Sequence, residues 1–367
     1  MWLVAVASLL GSCPARAATF HAHDGSSLEA AVRGADSTPG SNTIELNAGT
    51  YVPASTLTLS GDIAIAGPSA APGARLDGGA VQPFPSDLLV VEAHAQVTLR
   101  NLALTTAAGP GSGAAIEDFG VFDMESSTLA GNNGPGLLVQ PGGDATLRNS
   151  TLSDGLDVGI VDSGSASLLS STVAGNAGGG IDDSGGSLSL TNTIVAGNGA
   201  ADCSRPANRS DRSLDGDGSC GVGALSRADP LLGRLALNGG PTPTRALDSA
   251  SPAIGAGDAS RCPSQDQRGL TRAGGRCDIG AYQAGAAPAA AGGAPSAAPQ
   301  GSVGDRKKPG GGGACATGHR KHGGRRHARH RRVRRHRPRH RSRSCNRFVK
   351  HRASHLLPSY VRLVYMQ

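Results

Sequence analysis

The sequence predicts an all-β chain: a right-handed parallel β-helix, a solenoid of roughly 21–25 residues per coil, opened by a short N-terminal capping helix and trailed by a disordered basic tail. The first observation behind this is repetition. Thr98-Leu99-Arg100-Asn101-Leu102-Ala103-Leu104, Ser126-Ser127-Thr128-Leu129-Ala130-Gly131-Asn132, Thr146-Leu147-Arg148-Asn149-Ser150-Thr151-Leu152, Ser171-Thr172-Val173-Ala174-Gly175-Asn176 and Thr193-Ile194-Val195-Ala196-Gly197-Asn198 are versions of one unit. Aligning Leu104, Leu129, Leu152, Val173 and Val195 gives steps of 25, 23, 21 and 22 residues. The second is composition: aromatics are 3% and Gly is 55 of 367 residues, which excludes a large aromatic-filled core and leaves Val, Ile, Leu and Ala for narrow stacked strands. The third is charge. Residues 1–305 carry 15 Lys plus Arg against 28 Asp plus Glu, while residues 306–367 carry 20 basic and no acidic residues, so the chain's net +7 describes neither part.

Within a unit, an alternating stretch such as Ser187-Leu188-Ser189-Leu190 reads as a half-buried strand. A Gly or Asn turn follows, then a second apolar run such as Gly136-Leu137-Leu138-Val139 or Gly159-Ile160-Val161. Leucine-rich repeats have similar periods, but their leucine spacing and helical half are missing here. The recurring Asn132, Asn176 and Asn198 are expected at one corner in the left-handed conformation that Asn tolerates.

The ends of the chain read differently. Residues 1–17 have the look of a signal peptide: an apolar run from Trp2 to Leu10, too short to span a bilayer, then a cleavage site at Ala15-Arg16-Ala17. Leu10-Gly11-Ser12-Cys13 offers the alternative of a lipoprotein acylated on Cys13. Ser26-Ser27-Leu28-Glu29 reads as a capping box opening a helix through Arg33, which would cover the first coil. The β-helix is expected over 18–283, with a disulfide-containing cap at about 201–283 closing the coil stack. Six cysteines remain after Cys13 and allow 15 pairings. Cys203 with Cys220 and Cys262 with Cys277 bracket short segments and are the expected neighbour pairs. Residues 284–314 form an Ala, Pro and Gly rich linker, and residues 315–367 a basic tail.

The run from Asp229 to Tyr282 contains Asp229-Pro230-Leu231-Leu232, Asn238-Gly239-Gly240-Pro241-Thr242-Pro243-Thr244, Ser251-Pro252-Ala253-Ile254, Asp266-Gln267-Arg268-Gly269 and Cys277-Asp278-Ile279-Gly280-Ala281-Tyr282. In that order these resemble the terminal signature of bacterial secreted β-helix proteins of the choice-of-anchor Q type. The N-terminal segment, Ser26-Ser27-Leu28-Glu29-Ala30 followed by Ala48-Gly49-Thr50-Tyr51, is similar to the SLREA-type opening of the same family, without its Cys and Arg. The resemblance implies a scaffold of the pectate-lyase-like superfamily at the cell surface or outside the cell, and leaves the chemistry open.

Two functional readings follow. One is an adhesion or carbohydrate-contact module, monomeric and without a transmembrane helix after export. Its tail would grip envelope polyanions, with nucleic acid as the alternative, through Arg325, Arg326, Arg331, Arg332, Arg334, Arg335 and Arg337. The other is a polysaccharide lyase or hydrolase. Its candidates are Asp162, Asp182 and Asp183 for catalysis and Asp118, Asp162, Asp182 and Asp183 for Ca²⁺, the one cofactor considered, because Asp162 and Asp183 sit equally placed one coil apart. The same Asp residues suit plain turns. No Lys precedes Lys307, no His lies between His94 and His319, and Arg100 and Arg148 share a strand position far from the Asp turns, which weighs against catalysis.

Overall fold

The computed structural model describes residues 17–81, 86–105, 113–223, 225–272 and 276–288. The expected signal peptide up to residue 16 with Cys13, most of the expected linker, and the tail with Arg325, Arg326, Arg331, Arg332, Arg334, Arg335 and Arg337 among its arginines lie outside the described residues. The chain divides into two units, Met1–Ala297 and Ala298–Gln367, and everything below belongs to the first.

Among the described residues, three parallel sheets of nine, eight and six strands run along a solenoid. Each coil visits them in the same order, as Gln96–Arg100, Leu102–Thr105 and Ile116–Asp118 illustrate for the first, second and third sheet. The period read from the sequence is the physical register. Leu104, Leu129, Leu152, Val173 and Val195 pair in one column of the second sheet. Leu99, Met124, Leu147, Leu168 and Leu190 form the matching column of the first. All ten are buried, and this apolar column is what folding removes from water.

The corner between the first and second sheets is where the chain needs positive φ. Asn101, Ser126, Asn149, Ser170 and Asn192 adopt φ of 55°, 51°, 46°, 50° and 49°. Asn132, Asn176 and Asn198 do not take that conformation. The glycines before them, Gly131, Gly175 and Gly197, absorb it at φ of 65°, 76° and 70°, since they have no Cβ to clash. The asparagine side chains are thereby free to ladder between coils. Asn176 Nδ2 donates to Asn198 Oδ1 at 3.1 Å, and Asn198 Nδ2 donates to Asp202 Oδ1 at 3.0 Å.

The N-terminal end is covered by helix α1 (Gly25–Asp36), which buries Leu28, Ala31, Val32 and Ala35. Its capping box runs from Asp24 to Ser27, two residues earlier than Ser26 to Glu29. Asp24 accepts from Ser27 N at 2.7 Å, and Ser27 Oγ accepts from Asp24 N at 3.0 Å. Glu29 is used elsewhere, accepting from Ala54 N and Ser55 N of the adjoining loop. Asp24 wins because it holds the extended conformation a cap requires, at φ −153°.

The C-terminal region divides in two. Around residues 201–226 the chain closes the interior: Cys203 bridges to Ile181, is bonded to Cys220, and both sulfurs join Val222 in the main core. Residues 229–283, with the second disulfide Cys262–Cys277, do not close the end of the stack. They run along the outer face of the second sheet as a strap. Thr128 Oγ1 donates to Pro243 O at 2.7 Å, Thr151 Oγ1 donates to Gln267 Oε1 at 2.6 Å, and Ala281 N donates to Thr172 Oγ1 at 3.1 Å. Ile194, Ala196 and Leu214 pack against Ala253 and Ile279 beside them. Strands of this sheet such as Thr172–Ala174 are therefore buried on both faces, whereas strands of the first sheet alternate.

Candidate functional site

The acidic row lies on the third sheet. Register places Leu59, Val91, Asp118, Val139, Asp162 and Asp183 in one column. The equivalence of Asp162 and Asp183 is thus real, but the shared face is the interior one: Asp118 and Asp162 are fully buried and Asp183 is 4% exposed. Side chains alternate along a strand, so Asp182, one residue from Asp183, points the opposite way. It is half-buried in the wall of a cleft of about 230 Å³ with Val158, Gly178, Gly179, Ala201 and Ser204.

Each interior carboxyl is only half satisfied. Asp118 Oδ1 accepts from Gly120 N and Asp162 Oδ1 from Gly164 N, both at 3.0 Å, the local turn bond that Asp makes to the backbone two residues on. Asp183 Oδ1 accepts from Arg205 Nη2 at 2.5 Å. Oδ2 of all three is buried without a partner, and only Ser170 Oγ shares that condition among the described residues. Burial pushes the Asp118 carboxyl up to about 7, with the Asp144 charge adding and the Gly120 bond opposing. Burial also raises Asp162, as does Asp183, while its backbone bonds from Gly164 and Ala166 and the Arg205 charge pull the other way. The packing is close: a Cβ on Gly186 would stand 2.5 Å from Asp162 Cγ.

This arrangement is inaccessible to a polymer outside the coil. It also does not assemble the six to eight oxygens of a Ca²⁺ shell. Among the described residues, no three His, Cys, Asp or Glu side chains are placed to hold a metal ion. Arg205, which sequence reading passed over, is the cation nearest the row. It donates to Asp183 and to Gly186 O, and the Asp183 bond raises its pKa further, the reverse of what proton abstraction demands.

A second carboxylate grouping went unread. Glu117, beside Asp118 but facing outward, accepts from Gln140 Nε2 at 2.6 Å and hydrogen-bonds Asp87. Burial raises it, the Gln140 bond opposes this, and Asp87 and Glu92 add to the rise. Directly bonded carboxyls stand closer than the ~5–9.5 Å that places an acid and its partner on either side of a glycosidic bond.

The most regular exterior surface belongs to the nine-stranded sheet. Its middle column is Thr98, Asp123, Thr146, Ser167 and Ser189. One flank is Gln96, Val121, Asp144, Ser165 and Ser187, the other Arg100, Glu125, Arg148, Leu169 and Thr191. All are exposed or half-buried, and strands repeat every ~4.8 Å. Arg100 and Glu125 pair at 3.1 Å, and Arg148 stands next to Glu125 in register.

Residues 88–226 match the family model described as right handed beta helix region, which covers the coils from Leu89–Val91 onward and gives their hand. No curated protein and no solved structure matches the chain.

Proposed function

We propose that the chain is an exported β-helix scaffold that contacts polysaccharide along the outer face of its nine-stranded sheet, with the basic tail as a separate grip on anionic envelope polymers. The carrying observation is the in-register column Thr98, Asp123, Thr146, Ser167 and Ser189 on an open face. Short hydroxyl side chains both donate and accept hydrogen bonds, and they lose little conformational freedom when a ligand orders them. A repeating array suits a repeating polymer. The net −13 of residues 1–305 disfavours anionic glycans on that face, so the polymer there is neutral and anionic polymers are left to Arg325, Arg326, Arg331, Arg332, Arg334, Arg335 and Arg337. Two disulfides support an oxidising compartment, and no helix among the described residues is long and apolar enough to cross a membrane.

The test is retention of the full chain on immobilised xylan, laminarin and polygalacturonate. Thr146→Arg with Ser167→Arg should lower retention on at least one neutral glycan tenfold or more, with an unchanged circular dichroism spectrum, and Asp182→Asn should not. Loss of residues 306–367, or high salt, should release the chain from polygalacturonate. Neutral-glycan retention indifferent to the face substitutions, or release of reducing or unsaturated sugars, would overturn the reading.

A further inference from the structure

The column on the third sheet poses a physical problem that the carbohydrate reading does not use. Asp118 sits between Val91 and Val139 of the adjoining coils, both fully buried. Asp162 sits between Val139 and Asp183. Each spends one oxygen on a backbone turn and holds the other, buried, with no donor. An ionised carboxylate in that setting has lost water and gained one hydrogen bond, whereas a protonated carboxyl carries no charge to desolvate.

The charged neighbours sharpen the problem. The group facing Asp118 is Asp144, on the next coil of the first sheet, and it is negative. Those facing Asp162 are Asp183 from the next coil, negative, and Arg205, whose guanidinium is engaged by Asp183. Asp118 thus has no cation, and Asp162 has only a share of one. Glycines close the remaining space: Gly143 lies over Asp118 Oδ2, where a Cβ would come within 3.1 Å, and Gly186 lies over Asp162.

We infer that Asp118 and Asp162 form an acid-set latch inside the solenoid: the third-sheet corner is tight while these two carboxyls keep their protons, and it loosens when the medium takes them. The step is a proton transfer from carboxyl to water or buffer, leaving a carboxylate that must find water through local opening.

The direction follows from linkage. A carboxyl whose pKa is higher folded than unfolded binds more protons when folded, so its contribution is full below the unfolded value and is lost as pH rises through the folded one. For Asp118, between 3.8 and about 7, this amounts to about a hundredfold in the folding equilibrium from pH 5 to pH 8. Asp162 acts in the same sense. Carboxylates with lowered pKa, such as Asp24 at about 2, lose their contribution only at far lower pH.

The experiment is thermal and denaturant unfolding of the full chain from pH 5 to pH 8.5, beside Asp118→Asn, Asp162→Asn and the double variant. Asn keeps the turn acceptor but cannot ionise, and the paired comparison subtracts every other titration, histidines included. The parent should lose stability as pH rises, the double variant should be nearly level, and the two curves should cross so that the variant is more stable at pH 8. Should the double variant fail to fold, proton uptake on refolding at pH 6, read in weak buffer, is compared between the parent and whichever single variant folds, because Glu117 and Asp202 are also raised by burial: greater uptake by the parent supports the latch, and equal uptake contradicts it. A parent curve that is flat or rises over this range, or a double variant with the parent's slope, would also overturn it.

Discussion

Asp266 and Asp118 are equally hidden from solvent, at 1% and 0% exposure, yet one accepts five hydrogen bonds and the other one. Within the strap, Asp266 Oδ1 takes Arg268 N and Leu270 N, and Oδ2 takes Arg268 Nε, Arg268 Nη2 and Gln283 N. Arg268 stacks on Tyr282 at 3.8 Å, and Gly240 leaves room for it. Arg272 donates to Gln265 O, Asp278 O, Gln283 Oε1, Asn149 Oδ1 and Gly280 O, so it stays charged although burial lowers it to about 10. At the third-sheet corner there is no such network. Burial does not set the cost of a carboxyl; the number of donors around it does. The strap is therefore a fixed clamp, and the corner is a responsive element.

The largest expected effect lies in the clamp. Arg268→Met removes the cation and leaves Asp266 buried and charged, which should destabilise the body by about 3–5 kcal/mol in denaturant unfolding; a loss below ~1 kcal/mol would mean the strap is not tied to the coils. Opening the Cys262–Cys277 disulfide, which joins positions 15 apart, with paired Ser substitutions should cost about 3 kcal/mol by loop entropy and show as a lower midpoint. At the corner, Gly186→Ala forces a methyl onto the Asp162 carboxyl and should cost about 1–3 kcal/mol, with altered pH dependence as the signature that separates it from simple overpacking. Arg100→Ala breaks an exposed pair with Glu125 and should change stability by no more than about 0.5 kcal/mol, a reference for what surface charge contributes.

Much of this fold is legible in the sequence because its information is local. The 21–25 residue period locates the columns, the first-sheet strands alternate visibly, and Asp162 and Asp183 fall out as equivalents. What escaped depends on geometry that spacing leaves open. Equivalence one coil apart says nothing of face, and an offset of a single residue separates interior Asp183 from exterior Asp182. The left-handed corner went to the wrong asparagines because the Gly-Asn pairs carry two residues able to take it, and only the backbone shows that Gly takes it. The sequence suggests an end cap rather than a strap because Thr128, Thr151 and Thr172 look like surface threonines. Their partners lie far along the chain, Gln267 being 139 residues from Thr128, and such contacts leave no local pattern. Arg205 and the Asp87–Glu117 pair fall outside the repeated positions that drew attention to the Asp row.

The contrast between clamp and corner is tested most directly by hydrogen exchange on the full chain at pH 5 and pH 8, with intrinsic rates corrected. Amides of Ile116–Asp118 and Val158–Asp162 should lose protection on going to pH 8 by up to about a hundredfold, while those around Gln267 and Arg268 keep theirs. Equal changes in the two regions, or loss of protection confined to the strap, would contradict the account.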